Sequence, residues 1–186
     1  KHKAGEVLQK KGTPCNQLMF ILKGEVVSST SSDDDSYSFT EYLSAPYLIE
    51  PQSMFGMNTC YVSNYRAHTE VHTVSINKAF VMEELFRYEI FRLNYMNIIS
   101  NRAQTLYSRL WNKPSNSIEE RIAYFILKHT ERLTGEKILK IKMEDFAEIL
   151  NETRASVSKI LNSMQENGLL ELHRGEIVIP EVEKLL

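Results

Sequence analysis

The sequence predicts an α+β fold: a strand-rich first half of roll or sandwich type, a long helix, and a C-terminal winged helix-turn-helix. Three observations carry that prediction. Short apolar runs punctuated by Gly and Pro occupy residues 1–75. Apolar residues then recur at three- and four-residue steps between 77 and 112. Finally, two short amphipathic stretches flank Asn151-Glu152-Thr153, and a hairpin pattern follows them.

In the first half, Gly5-Glu6-Val7-Leu8 leads into a turn at Lys10-Lys11-Gly12-Thr13-Pro14. Leu18 to Leu22 is an apolar run closed by Lys23-Gly24, and Glu25-Val26-Val27 resumes extended chain. Residues 28–36 contain Asp33-Asp34-Asp35 and no apolar residue, as expected of a solvated hairpin tip. Further strands are expected at 37–43, 47–49, 61–62 and 69–73.

The helical stretch carries Tyr95, Ile99, Ala103, Leu106 and Leu110 on one stripe. Ile90, Leu93, Met96 and Ile98 add apolar area off it. Such a helix needs two surfaces to bury it: its own β-rich part and a second copy of itself. Pro114 then breaks the helix, because it lacks an N–H and disfavours helix at Lys113. Ser117-Ile118-Glu119-Glu120 fits a capping box, so a new helix starts there and a hinge is expected at 113–116.

Phe146, Ala147, Ile149 and Leu150 form one apolar helix face, and Val157, Ile160, Leu161 and Met164 a second. The turn between them needs positive φ, which Asn151 tolerates, and Thr153 is a good N-cap. Arg154, Ala155, Ser158, Lys159 and Asn162 project away from the buried stripe. Arg can bond bidentately to guanine, Lys can reach base or phosphate, and Ser156 and Ser158 can donate to phosphate. Gly168 suits the helix end. Residues 169–179 then read as a wing, with His173 and Arg174 at its tip facing backbone phosphates.

Composition limits how DNA is bound. The 186 residues are 42% hydrophobic and 25% charged, with net charge −2. A histone-like polycation and an acidic disordered chain are excluded. The balance is +1 over residues 1–116 and −3 over 117–186, so attraction to DNA must come from placement and be salt-dependent. Cys15 and Cys60 are too few for a disulfide framework and are read as packed residues in a reducing cytoplasm. No apolar run reaches membrane-spanning length. The sequence opens at Lys1 without a signal-peptide pattern, leaving room for an upstream segment.

This order of elements resembles the CRP/FNR family of bacterial transcription regulators. The strongest part is 118–179, with EERIAYFILKH and then MEDFAEILNETRASVSKILNSMQENGLLELHRGEIVI. The resemblance implies a double-stranded, jelly-roll-like β-roll with a dimerisation helix at about 89–112, within a domain of residues 1–112. It further implies a DNA-binding domain at 117–186. The chain would be a cytoplasmic homodimer, not an enzyme, whose partners are pseudo-palindromic double-stranded DNA and RNA polymerase, with no membrane. The DNA-contacting set is Thr153, Arg154, Ser156, Ser158, Lys159, Asn162, His173 and Arg174, with Arg154 in the base-reading position. Ala155 stands where the family usually has a glutamate that meets the cytosine side, so the operator should differ. The dimer contact is carried by Tyr95, Ile99, Ala103, Leu106 and Leu110.

Residues 55–67 resemble the family's phosphate-binding cassette, with Phe55, Gly56, Met57, Asn58, Arg66 and Ala67 as effector-site candidates. In cyclic-nucleotide binders a Glu follows Phe-Gly and holds the ribose; here it is Met57. The phosphate-holding Arg is followed by Ser or Thr; here Arg66 is followed by Ala67. Where relatives present Thr and Ser to adenine, ungapped counting gives Leu106 and Tyr107. These departures argue against cyclic AMP and leave Arg66 either for another anionic small molecule or for an ion pair. No cofactor or metal is expected. The rival reading is a cupin-like metalloenzyme with ligands at His68, Glu70 and His72, although the outer two lie about 13 Å apart along a strand.

Overall fold

The structure, a computed structural model, describes residues 1–111 and 117–186. The segment 113–116, read above as a hinge, lies outside the described residues. In chain order the strands are β1 (Val7–Gln9), β2 (Gln17–Lys23), β3 (Glu25–Ser31), β4 (Tyr37–Ser44), β5 (Tyr47–Ile49), β6 (Asn64–Ala67), β7 (His72–Asn77), β8 (Lys137–Ile141), β9 (Glu171–His173) and β10 (Glu176–Ile179). The helices are α1 (Lys78–Glu83), α2 (Glu89–Trp111), α3 (Ile118–His129), α4 (Met143–Ile149) and α5 (Arg154–Glu166).

The chain forms two compact units, and the division is not linear. Lys1–Val27 goes with the chain from Leu43 through α2, while Ser28–Tyr42 goes with the C-terminal part. A single cut at the expected hinge therefore does not separate them: the far end of the β3–β4 hairpin is built into the C-terminal unit.

In the first unit β2 is flanked by β5 and β7, and β1 pairs with β6. Leu18, Ile21, Val26, Leu43, Ile49, Tyr65, Ala67 and Val71 share one core. Gly24 allows the close approach of two segments: its φ is +88°, and a Cβ there would lie 2.3 Å from the Glu70 carbonyl oxygen. The strands expected at 61–62 and 69–73 are displaced to β6 and β7. The cause at 61–62 is Glu50, a buried carboxylate that accepts from the Val62 and Ser63 amides at 2.9 Å each and from the Ser53 hydroxyl at 2.7 Å. Those amides are satisfied by a side chain and form no ladder.

The apolar stretch after residue 77 is broken into α1, a short turn of 3-10 helix at Leu85–Arg87, and α2. Asn77 caps α1 by accepting from the Phe80 amide. One line of α2 faces its own unit. The Tyr95 hydroxyl donates to the Pro51 carbonyl at 2.6 Å, and Arg102 donates to the Gln52 side chain and the Leu48 carbonyl.

In the second unit β8 lies between β4 and β10, with β9 outside β10. The β4–β8 ladder runs from Tyr37 opposite Ile141 to Glu41 opposite Lys137. Phe39 enters the core of this unit with Ile122, Phe125, Ile126, Leu139, Phe146, Val157, Leu161 and Met164. Burying such a ring is worth about 1.5–3 kcal/mol. The expectation that residues 28–36 form only a solvated tip is corrected: strand continues to Ser31 and Ser28 is buried. Only the turn beyond it is exposed, where Asp34 accepts from the Ser32 and Ser36 hydroxyls at 2.7 and 2.8 Å. Ser and Thr tolerate extended backbone, so a polar run is no proof of a loop.

Candidate nucleic-acid interface

The turn before α5 has the expected backbone. Asn151 adopts φ 51°, and the turn closes through Asn151 N–H to Glu148 and Glu152 N–H to Ala147, both at 2.9 Å. Thr153 caps α5, accepting from the Ser156 amide at 3.1 Å. From below, Arg121 on α3 donates to the Leu150 carbonyl at 2.7 Å and pairs with Glu152. The two bonds tie α3 to the turn that precedes α5. Ala147 and Val157 are both buried in the unit's core.

Val157, Leu161 and Met164 anchor α5, leaving Arg154, Ala155, Lys159 and Asn162 exposed, with Ser158 half-buried at the edge. Ser156 is partly spent, because its hydroxyl lies 2.8 Å from that of Thr153. Gly168, at φ 70°, ends the helix, and the Leu169 amide returns to the Met164 carbonyl at 3.0 Å. The wing then forms as expected, β9 against β10, with Arg174 and Gly175 at the turn. His173 lies 3.6 Å from Glu171, both exposed.

Two features of this surface were not read from the sequence. Glu144, in the first turn of α4, holds Arg154 at 3.0 Å. Nothing in helical spacing pairs residues ten apart across a turn. The strand β8 was also missed, although Lys137, Leu139 and Ile141 alternate with more exposed neighbours. A lysine at a buried position hides that pattern.

The effector candidates occupy different environments. Phe55 packs its ring against Phe86 and Tyr95, with centroids 5.8 and 6.0 Å away. Gly56 sits at φ 101°, and Met57 is wholly exposed. Asn58 accepts from the Cys60 amide at 3.1 Å. On β6 the neighbours Tyr65 and Ala67 point into the core, so Arg66 between them points out, opposite exposed Val7. Arg66 is therefore open to solvent, where either an anionic small molecule or an ion-pair partner can reach it. Leu106 and Tyr107 are exposed on α2.

The residues of the expected dimer stripe differ in exposure. Tyr95 is turned into its own unit by the Pro51 bond and the surrounding rings, and Ile99 is half-buried. Leu93, Met96, Tyr107 and Leu110 are exposed instead, and with Ser100 and Ala103 they recur at steps of 3, 4, 3, 4 and 3. That is the spacing of a coiled-coil seam.

His68, Glu70 and His72 form no ligand set. His68 faces Glu25 at 3.8 Å and His72 faces Glu70 at 3.0 Å. Among the described residues no group of three or more His, Cys, Asp or Glu is placed to hold a metal. Cys15 is buried, its thiol pushed up mainly by burial. Among the described residues no helix is long and apolar enough to cross a membrane.

The family model for a cyclic nucleotide-binding domain matches residues 1–88, and that for a Crp-like helix-turn-helix domain matches residues 120–186. None of the curated proteins compared matches the chain. Among solved structures, the catabolite activator protein of Thermus thermophilus is 17% identical with a TM-score of 0.53, over 99% of this chain and 85% of that one. FixK2 of Bradyrhizobium japonicum is 14% identical with a TM-score of 0.53, over 99% and 92%. The c-di-GMP responsive global regulator CLP of Xanthomonas campestris is 15% identical with a TM-score of 0.53, over 96% and 91%. At these identities the likeness is one of fold.

Proposed function

The chain belongs to the CRP/FNR family of transcription regulators, and from that premise we propose that it acts as a homodimer reading a pseudo-palindromic operator. The observation that carries the reading is α5: anchored by Val157, Leu161 and Met164, capped by Thr153, and presenting Arg154, Lys159 and Asn162 outward beside the wing. Arg154 reads guanine, Lys159 and Asn162 read or support neighbouring positions, and Ser156, Ser158, His173 and Arg174 serve the phosphates. Two copies reach successive major grooves, roughly 34 Å apart. The exposed α2 seam from Leu93 to Leu110 supports the dimer. RNA polymerase is the expected protein partner, the cytoplasm the expected compartment, and catalysis is not part of the reading.

The β-roll is a sensor of something other than cyclic AMP, or a scaffold. Met57 offers no hydrogen bond to a ribose, Arg66 points outward, and Leu106 and Tyr107 carry no adenine-binding hydroxyl pair. The deciding experiment is unbiased selection of DNA sites with and without cell metabolite extract. A two-fold symmetric sequence is expected, lost in Arg154→Ala while the protein stays dimeric. An unchanged footprint in that variant sinks the base-reading role, and saturable micromolar heat with cyclic AMP in calorimetry sinks the effector reading.

A further inference from the structure

The carboxylate that a bare Arg154 would need is supplied from outside its own helix. No acidic residue lies in the first turn of α5, and Ala155 beside Arg154 has no polar side chain. Yet Glu144 Oε1 lies 3.0 Å from Arg154 Nη1, both side chains on the exposed surface. We propose that Glu144 is the positioning and specificity residue of Arg154, holding its guanidinium ready for guanine and suppressing contact with other DNA. The proposal rests on the DNA-reading role given to Arg154 above.

The chemistry is that of a fork with more donors than one base uses. A guanidinium has five N–H donors in one plane, and guanine O6 and N7 take two. A carboxylate on another edge fixes the plane of the fork before DNA arrives. Arg154 then loses less rotamer freedom on binding guanine, and it is less free to swing to a phosphate. Glu144 also sets a negative charge beside the backbone-facing surface, where it opposes sequence-independent attraction. Because the pair is exposed, its contribution to folding is small. Substituting Glu144 therefore changes recognition without threatening the fold.

The test is site selection followed by affinity measurement over a range of salt, on full-length wild type, Glu144→Ala, Glu144→Gln, Arg154→Ala and the Arg154→Ala/Glu144→Ala double variant. Each protein is titrated with the selected operator, the operator with the Arg154 guanine replaced, and random duplex. Glu144→Ala is expected to cut discrimination at that one base pair by about three- to tenfold, a fraction of what one bidentate contact supplies. Its affinity for random duplex is expected to rise. Glu144→Gln should fall between, since it keeps an acceptor oxygen and loses the charge. In the Arg154→Ala background, Glu144→Ala should leave base discrimination unchanged. Equal losses for all three DNAs, or undiminished discrimination in Glu144→Ala, overturn the proposal. If Arg154→Ala itself still selects the same operator, the base-reading role falls first and this inference with it.

Discussion

Glu41 and Lys137 meet at 3.4 Å inside the second unit, with side chains 8% and 0% exposed. Glu41 also accepts from the Glu131 amide at 2.9 Å and the Arg132 amide at 3.3 Å, and Lys137 donates to the Thr134 carbonyl at 2.8 Å. The pair sits at the end of the β4–β8 ladder, so it clamps the hairpin to the DNA-binding unit. Removing one partner strands a buried charge. Glu41→Ala is expected to cost about 3–5 kcal/mol in urea unfolding. A Glu41→Leu/Lys137→Met pair should recover most of that loss, because an apolar pair of similar size has no desolvation to offset. A single variant as stable as wild type contradicts the clamp.

Two carboxylates on the same hairpin should respond to acid in opposite senses. Burial raises Glu41 above the usual carboxylate range despite its amide donors and Lys137. The folded protein therefore takes up that proton before the unfolded chain does, and Glu41 by itself favours the fold as pH falls through its folded value. Asp34 is lowered to about 2, first by the Ser32 and Ser36 hydroxyls. Its contribution is present above its ordinary value of 3.8 and is lost as pH falls through about 2. Carboxyl NMR titration checks both: the Asp34 midpoint should lie near 2 and move up in Ser32→Ala, with the Glu41 midpoint above 4.5.

The seam on α2 gives a third prediction. Leu93, Met96, Tyr107 and Leu110 are large apolar residues left on one exposed line. Tyr107→Glu with Leu110→Glu should give a monomer by light scattering, because like charges would face each other across a two-fold axis. Secondary structure should be unchanged, since both side chains are already in solvent. Operator affinity should fall with loss of the second half-site. A dimer that survives both charges places the contact elsewhere.

The sequence made the C-terminal unit legible where local chemistry decides conformation. Asn151, Thr153, Ser117 and Gly168 each take the backbone role their chemistry favours, and periodicity found the buried faces of α4 and α5, apart from Ile149, which is exposed. It failed where partners are distant in sequence. Phe39 and Glu41 lie about a hundred residues from Leu139 and Lys137, and no local pattern assigns a hairpin to a unit that begins so far downstream. Arg66 shows the same limit in another form. Its place in a motif named it as an effector-site candidate, but the motif does not say which face of the strand it occupies; one step of register decides that. Glu144 became visible only once two helices were folded against each other.

The turn before α5 offers a test that separates backbone from side chain. Asn151 occupies the left-handed region at φ 51°, and the bonds from its own amide to Glu148 and from Glu152 to Ala147 depend on that conformation. Glycine reaches the region without a Cβ penalty, so Asn151→Gly should keep stability within about 0.5 kcal/mol and leave operator affinity unchanged. A β-branched residue there is crowded against its own carbonyl. Asn151→Val should cost about 1–2 kcal/mol in denaturant unfolding. It should also weaken operator binding more than random-duplex binding, because the turn sets the angle at which Arg154 is presented. If valine is tolerated in both measurements, the positive φ is not what aims α5, and the clasp of Arg121 on Leu150 and Glu152 must do so alone.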